Sequence, residues 1–147
     1  MSILQTVTTS CKVELLQAIH NFGPTSPNTF KIALYTGNAD LSASTTVYTT
    51  SNEVANGSGY TTGGNTLVIS QSPTSGNNQS AVPTAFISFS NTSWTSASFT
   101  ARGALIYKAG ANGAVCVLDF GNDKTSSNTF TVTMPANTST SALIRLV

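Results

Sequence analysis

Beyond Pro27 the chain is a succession of short β-favouring runs, each closed by a cluster of Gly, Asn, Ser or Pro. In NTFKIALYT, Phe30, Ile32 and Leu34 fall on one face and Lys31, Ala33 and Tyr35 on the other, the period of two that a strand imposes. TTVYTT, TLVISQS, AFISFS, TSWTS, SFTARGALIYK, AVCVLDFG, NTFTVTM and SALIRLV continue the series. Eight or nine short strands separated by turn clusters predict a mainly β fold, an antiparallel β-sandwich of jelly-roll type, and not alternating β-α units. ALIY and AVCVL are apolar on both faces, which places them mid-sheet. The Ala109-Gly110-Ala111-Asn112-Gly113 turn between them predicts a hairpin. The stretches at 51–65 and 73–83 are too rich in Gly, Ser and Asn for regular structure and read as long loops.

One helix is expected. SCKVELLQAIHNFGP sets Val13, Leu16 and His20 in one line and Leu15, Ile19 and Phe22 beside it, an apolar stripe at helical spacing. Ser10 is the expected cap and Gly23-Pro24 the expected stop. The stripe should lie on the sheets and cover the mid-sheet strands. The ten residues before it read equally as an arm or as a first strand. The chain is thus read as one domain over 1–147, with arm and helix in 1–24 and strands in 28–147.

Charged side chains make up 7% of the 147 residues, against about 25% in ordinary domains, and there is one histidine. A Ser/Thr-covered strand surface stays wet without ions and packs against a neighbour without stripping water from charge. The net charge is +1, and Lys12, Lys31, Arg102, Lys108, Lys124 and Arg145 are scattered, so no basic footprint for nucleic acid exists. No run approaches the ~18 apolar residues of a membrane helix, and the N-terminus has neither a basic flank nor an apolar core of a secretory leader. No membrane insertion is therefore expected, and synthesis in a reducing cytoplasm suits Cys11 and Cys116 as free buried thiols.

The residues for chemistry are sparse. His20, at the predicted helix end, reads as a cation near the negative helix terminus and not as a catalytic base. Two cysteines and one histidine do not fill a zinc shell, and VLDFGNDKTSSN lacks the calcium-loop pattern around Asp119 and Asp123. Asp123 is read as shaping a turn. No spacing among Glu14, Asp40, Glu53, Asp119 and Asp123 selects a catalytic carboxylate pair. No enzyme and no cofactor is expected. Arg102 and Arg145 lie in strands that otherwise read as buried, with Asp119 as the in-strand partner for a structural ion pair. Trp94, near Phe99, reads as core.

Three segments taken together, NTFKIALYTGNADLSASTTVYTT with SGYTTGGNTL, then FTARGALIYK, then AVCVLDFGNDKTSSNTFTV, resemble a family of small tailed-bacteriophage proteins encoded among virion structural genes. The resemblance covers most of the chain and carries no catalytic residues. It implies a virion component, made in the cytoplasm of a host bacterium. The first reading is a capsid decoration or cement protein, a homodimer or homotrimer bridging major-capsid subunits on the head exterior. The alternative is a tail- or fibre-associated adaptor that contacts tail proteins or host surface glycans through loop residues Asn52, Asn56, Tyr60, Asn77 and Asn78. A small glycan-degrading enzyme is the remote third.

Overall fold

The computed structural model describes residues 2–76 and 84–147. Among these, the protein is mainly β, with antiparallel sheets and one short helix. The strands are β1 (Thr6–Val7), β2 (Phe30–Tyr35), β3 (Asn65–Thr66), β4 (Ile69–Ser75), β5 (Ala85–Phe89), β6 (Thr92–Trp94), β7 (Phe99–Lys108), β8 (Ala114–Ser126), β9 (Phe130–Val132) and β10 (Ile144–Leu146). They form a five-stranded sheet in the order β1-β8-β7-β2-β3, a three-stranded sheet β10-β5-β4 and a two-stranded sheet β6-β9. The β7-β8 hairpin turns where the glycines suggested, with Gly110 and Asn112 both at positive φ.

Strand alternation gives the five-stranded sheet two buried faces. Phe30, Ile32, Leu34, Ala104 and Ile106 enter one core together with Ile87 and Phe89 of β5, Ile144 of β10, Trp94 of β6 and Phe130 of β9. The alternate residues Ala33, Tyr35, Leu105, Tyr107 and Val117 enter a second core closed by Ile3, Ala39, Leu41 and Tyr48. The cover on that second face is therefore the N-terminal segment and the 36–50 loop, whereas the helix packs on the first. Close approach is built in at Gly103, where a Cβ would sit 2.6 Å from the Leu118 carbonyl and 2.8 Å from the Ile3 side chain. The segment before the helix is a short first strand: β1 pairs with β8, and Ile3 bridges Leu41.

The helix departs from expectation at both ends. α1 spans Thr9–Leu16, and its cap is Thr8, whose hydroxyl accepts from the Cys11 amide. It ends well before Gly23-Pro24. Ala18 takes the left-handed conformation (φ 59°), the Ala18 amide donates to Leu15 and the Ile19 amide to Glu14. These two bonds form a Schellman stop with alanine where glycine is usual. The expected stripe splits: Leu15, His20 and Phe22 turn to the core, and Val13, Leu16 and Ile19 do not. Cys11 is buried, while Leu16 is 91% exposed, Val13 50% and Ile19 40%.

Three further expectations change. TTVYTT makes only a bridge, Val47 to Gly113, because it crosses the end of the β7-β8 hairpin and turns Tyr48 onto Tyr107. TLVISQS divides between β3 and β4. β4 then runs on through Pro73 to Ser75, where a loop was expected; it is a bulged edge strand, which tolerates proline.

Candidate functional site

Arg102 and Asp119 meet in an ion pair, and the reason lies in an irregularity of the β7-β8 ladder. Between the Ala101–Lys124 and Gly103–Asp119 pairings, β8 carries the surplus residues. Gly121 takes φ 82° there and donates its amide to Asp119 Oδ1 at 2.8 Å. Asp119 thus staples the bulge to the neighbouring strand. The Gly121 amide first, and then the Arg102 guanidinium, hold its carboxyl below the ordinary value of 3.8. Arg145 is not part of this pair. It is exposed, its guanidinium donates to the Ser139 carbonyl at 3.3 Å, and it shares with Asp119 only the walls of a cleft of about 480 Å³. Its strand β10 buries Ile144 and turns Arg145 outward, as period two demands. Asp123 sits within β8, exposed, and not in a turn.

His20 is not at a helix end. It lies four residues beyond Leu16, its side chain fully buried, with Nε2 at 2.5 Å from Glu14 Oε2 and its ring beside Phe22 and Phe30. Trp94 is core, packed with Tyr60 and Phe130. Cys11 and Cys116 are both buried in the first core; burial drives the Cys11 thiol up to about 12 and the Cys116 thiol upward as well, so neither is a ready nucleophile. Of the loop candidates, Asn52 and Asn56 are exposed, and Asn56 accepts from the Thr62 amide at 3.1 Å. Tyr60 is buried and cannot serve as a contact residue. Asn77 and Asn78 lie outside the described residues.

Tyr60 instead belongs to a cluster absent from the sequence reading. All four tyrosines of the chain gather around Glu53. Glu53 Oε1 accepts from the Tyr60 hydroxyl at 2.6 Å and the Gly63 amide at 2.7 Å, and Oε2 accepts from the Tyr48 hydroxyl at 2.7 Å. Tyr107 stacks on Tyr48 at 4.4 Å and donates to the Gly63 carbonyl; Tyr35 donates to the Thr49 carbonyl. The Tyr60 oxygen also accepts from the Leu34 amide of β2 at 3.0 Å. Burial, and then the Glu53 charge, push Tyr107 to about 12; Tyr35, Tyr48 and Tyr60 are also raised. The cluster ties the 48–63 loop to the five-stranded sheet.

These groups are engaged with each other. Glu53 would have to break tyrosine hydrogen bonds to act as a base, and Glu14-His20 meets a phenylalanine pair where a triad needs a nucleophile. Among the described residues no three His, Cys, Asp or Glu side chains gather to hold a metal, and no helix is long and apolar enough to cross a membrane. What the surface offers instead is exposed Val13 and Leu16 on α1 and Ile19 just beyond it, with Leu146 (58%) and Val147 (78%) exposed at the end of β10. Leu15 and Leu146 line one cleft, so helix and strand end are neighbours. The chain matches no family model, no curated protein and no solved structure.

Proposed function

We propose that this is a non-catalytic assembly subunit, and specifically a bacteriophage capsid decoration protein that bridges major-capsid subunits on the head exterior. The observation that carries the assembly role is the exposed apolar surface of α1: a solvent-facing Leu16 at 91% exposure, with Val13 three residues before it also exposed, has no role in holding this chain together. Burying one such side chain in a partner contributes about 1.5–3 kcal/mol. The low-charge hydroxyl surface around it docks without stripping ions. The step from assembly subunit to virion protein rests on the resemblance of the three segments to small tailed-phage proteins. The proposal takes the packing of the five-stranded sheet against the two smaller ones as a β-sandwich of jelly-roll type.

The competing reading, a tail or fibre adaptor that recognises host glycans, keeps Asn52 and Asn56 but loses Tyr60 as an aromatic platform. Labelling the protein on intact particles decides between them. Label over the head, at a copy number comparable to that of the major capsid protein, supports decoration. Label confined to the tail, at the copy number of tail proteins, refutes it.

A further inference from the structure

The chain holds two Asn-Gly pairs, Asn56-Gly57 and Asn112-Gly113, and the fold treats them differently. An asparagine followed by glycine is the setting in which a main-chain nitrogen most readily attacks the preceding side-chain amide, because glycine brings no side chain to obstruct the approach. At the first pair both reacting groups are occupied. The Asn56 side-chain oxygen accepts from the Thr62 amide at 3.1 Å, and the Gly57 amide donates to the Tyr60 carbonyl at 2.8 Å. At the second pair both are free: the Gly113 carbonyl accepts from the Lys108 amide, but neither the Gly113 amide nor the Asn112 side chain has a hydrogen-bond partner among the described residues. Asn112 stands half-buried in the hairpin turn with φ at 62°. We propose that Asn112-Gly113 is a self-modification site, where the folded chain slowly converts one asparagine into an aspartyl or β-aspartyl residue.

The Gly113 nitrogen attacks Asn112 Cγ. A new C–N bond forms, the bond from Cγ to the side-chain nitrogen breaks, and ammonia leaves with the proton of the Gly113 amide. Water then opens the cyclic succinimide at either carbonyl, and no other reactant is needed. Both products add one negative charge to a chain whose formal net charge is +1. Opening at the main-chain carbonyl frees that group as a carboxylate and routes the backbone through Cγ, longer by one methylene. The displaced carbonyl is the acceptor of the Tyr48 amide at 2.8 Å, and two residues on the Ala114 amide donates to the Thr46 carbonyl at 3.0 Å. An antiparallel pairing does not absorb an extra backbone atom between its bonds, so the Val47–Gly113 bridge is lost. Tyr48, stacked on Tyr107 and bonded to Glu53, is loosened with it. This chemistry is independent of the assembly role.

The test is peptide mapping by mass spectrometry of the whole folded chain, held warm in neutral buffer over several weeks. A gain of one mass unit is expected at Asn112, about thirtyfold faster than at Asn56, where two hydrogen bonds must open first. In concentrated urea, where neither pair is structured, the two asparagines should convert at equal rates. Electron-based fragmentation identifies the β-aspartyl product, in which hydrogen exchange at the Tyr48 and Ala114 amides should be faster than in fresh protein. Asn112→Asp, which adds the charge without lengthening the backbone, should keep both amides protected. Equal rates at Asn56 and Asn112 in the folded chain, or conversion of Asn112 in urea alone, would overturn the proposal. So would a β-aspartyl product whose Tyr48 and Ala114 amides exchange as slowly as before.

Discussion

Removing one hydroxyl from Tyr60 should cost far more than removing the equivalent atom from Tyr48, although both donate to the same carboxylate. Tyr60→Phe deletes a 2.6 Å bond to Glu53 and also the acceptor of the Leu34 amide. Leu34 is fully buried in β2, so its N–H is left unpaired away from water. A hydrogen bond to a charged group contributes about 1.5 kcal/mol at the lower end, and an unsatisfied buried donor costs at least about 1 kcal/mol more. Together they give about 2.5 kcal/mol. Tyr48→Phe loses one 2.7 Å bond from a half-buried side chain, keeps its ring on Tyr107, and lets water reach Glu53. That loss is about 1 kcal/mol. For a chain of this size each kcal/mol moves Tm by about 2–4 °C, so the two variants should melt about 3–6 °C apart. Urea denaturation checks the ranking, with m unchanged so that the midpoint shift reads as stability. Equal destabilisation by the two substitutions would refute the dual role of the Tyr60 oxygen, and with it the idea that this cluster pins the 48–63 loop.

Ala18→Gly should raise stability by about 1 kcal/mol in the same denaturation assay, because Ala18 bears a left-handed conformation that glycine adopts freely. Asp119 has a folded-state pKa below 3.8, so its contribution is fully present above that value and is lost as pH falls through the lower folded value. The stability gap between wild type and Asp119→Asn, measured by denaturation at a series of pH values, should accordingly be widest above about pH 4 and close in stronger acid. Gly103→Ala should destabilise markedly, since its Cβ would strike the Leu118 carbonyl and Ile3; a Tm within about 2 °C of wild type would show that Ile3 and β8 give way there.

What could be read in the sequence follows from the range of the interactions involved. The strands and the β7-β8 hairpin were legible because period-two patterning and Gly110 act within a few residues. The amphipathic stripe was legible only in part: Leu15, His20 and Phe22 do face the core, but the helix stops at Leu16, so helical spacing no longer says which way Ile19, His20 and Phe22 point. The helix end was hidden because Ala18 carries no signal for the left-handed turn it makes. TTVYTT has strand composition, yet its main chain bonds to Asn112 and Ala114 at the hairpin end, the Tyr48 amide donating to the Asn112 carbonyl and the Thr46 carbonyl accepting from the Ala114 amide, a tertiary choice. The Arg102-Asp119 pair was within reach because the two residues face each other across one hairpin, whereas Arg145 was assigned a partner that its outward strand position denies it. The Glu53 cluster was invisible although it is local. Its three donors, Tyr48, Tyr60 and Gly63, lie within ten residues of Glu53, but in an irregular segment with no period, so nothing in the spacing hints that they converge on it.

The central claim is that the outward face of α1 is made for a partner, and Leu16 tests it most directly. Leu16→Glu replaces a 91% exposed side chain, so folding should be untouched and Tm should stay within about 2 °C of wild type. Loss of its burial against a partner is worth about 2 kcal/mol, roughly thirtyfold in Kd. Co-sedimentation of wild-type and Leu16→Glu protein with expanded empty capsids is the measurement. Wild type pelleting with the capsids and the variant staying in the supernatant at the same concentration is the result predicted here. Equal binding of the two, or no binding of wild type, would contradict it.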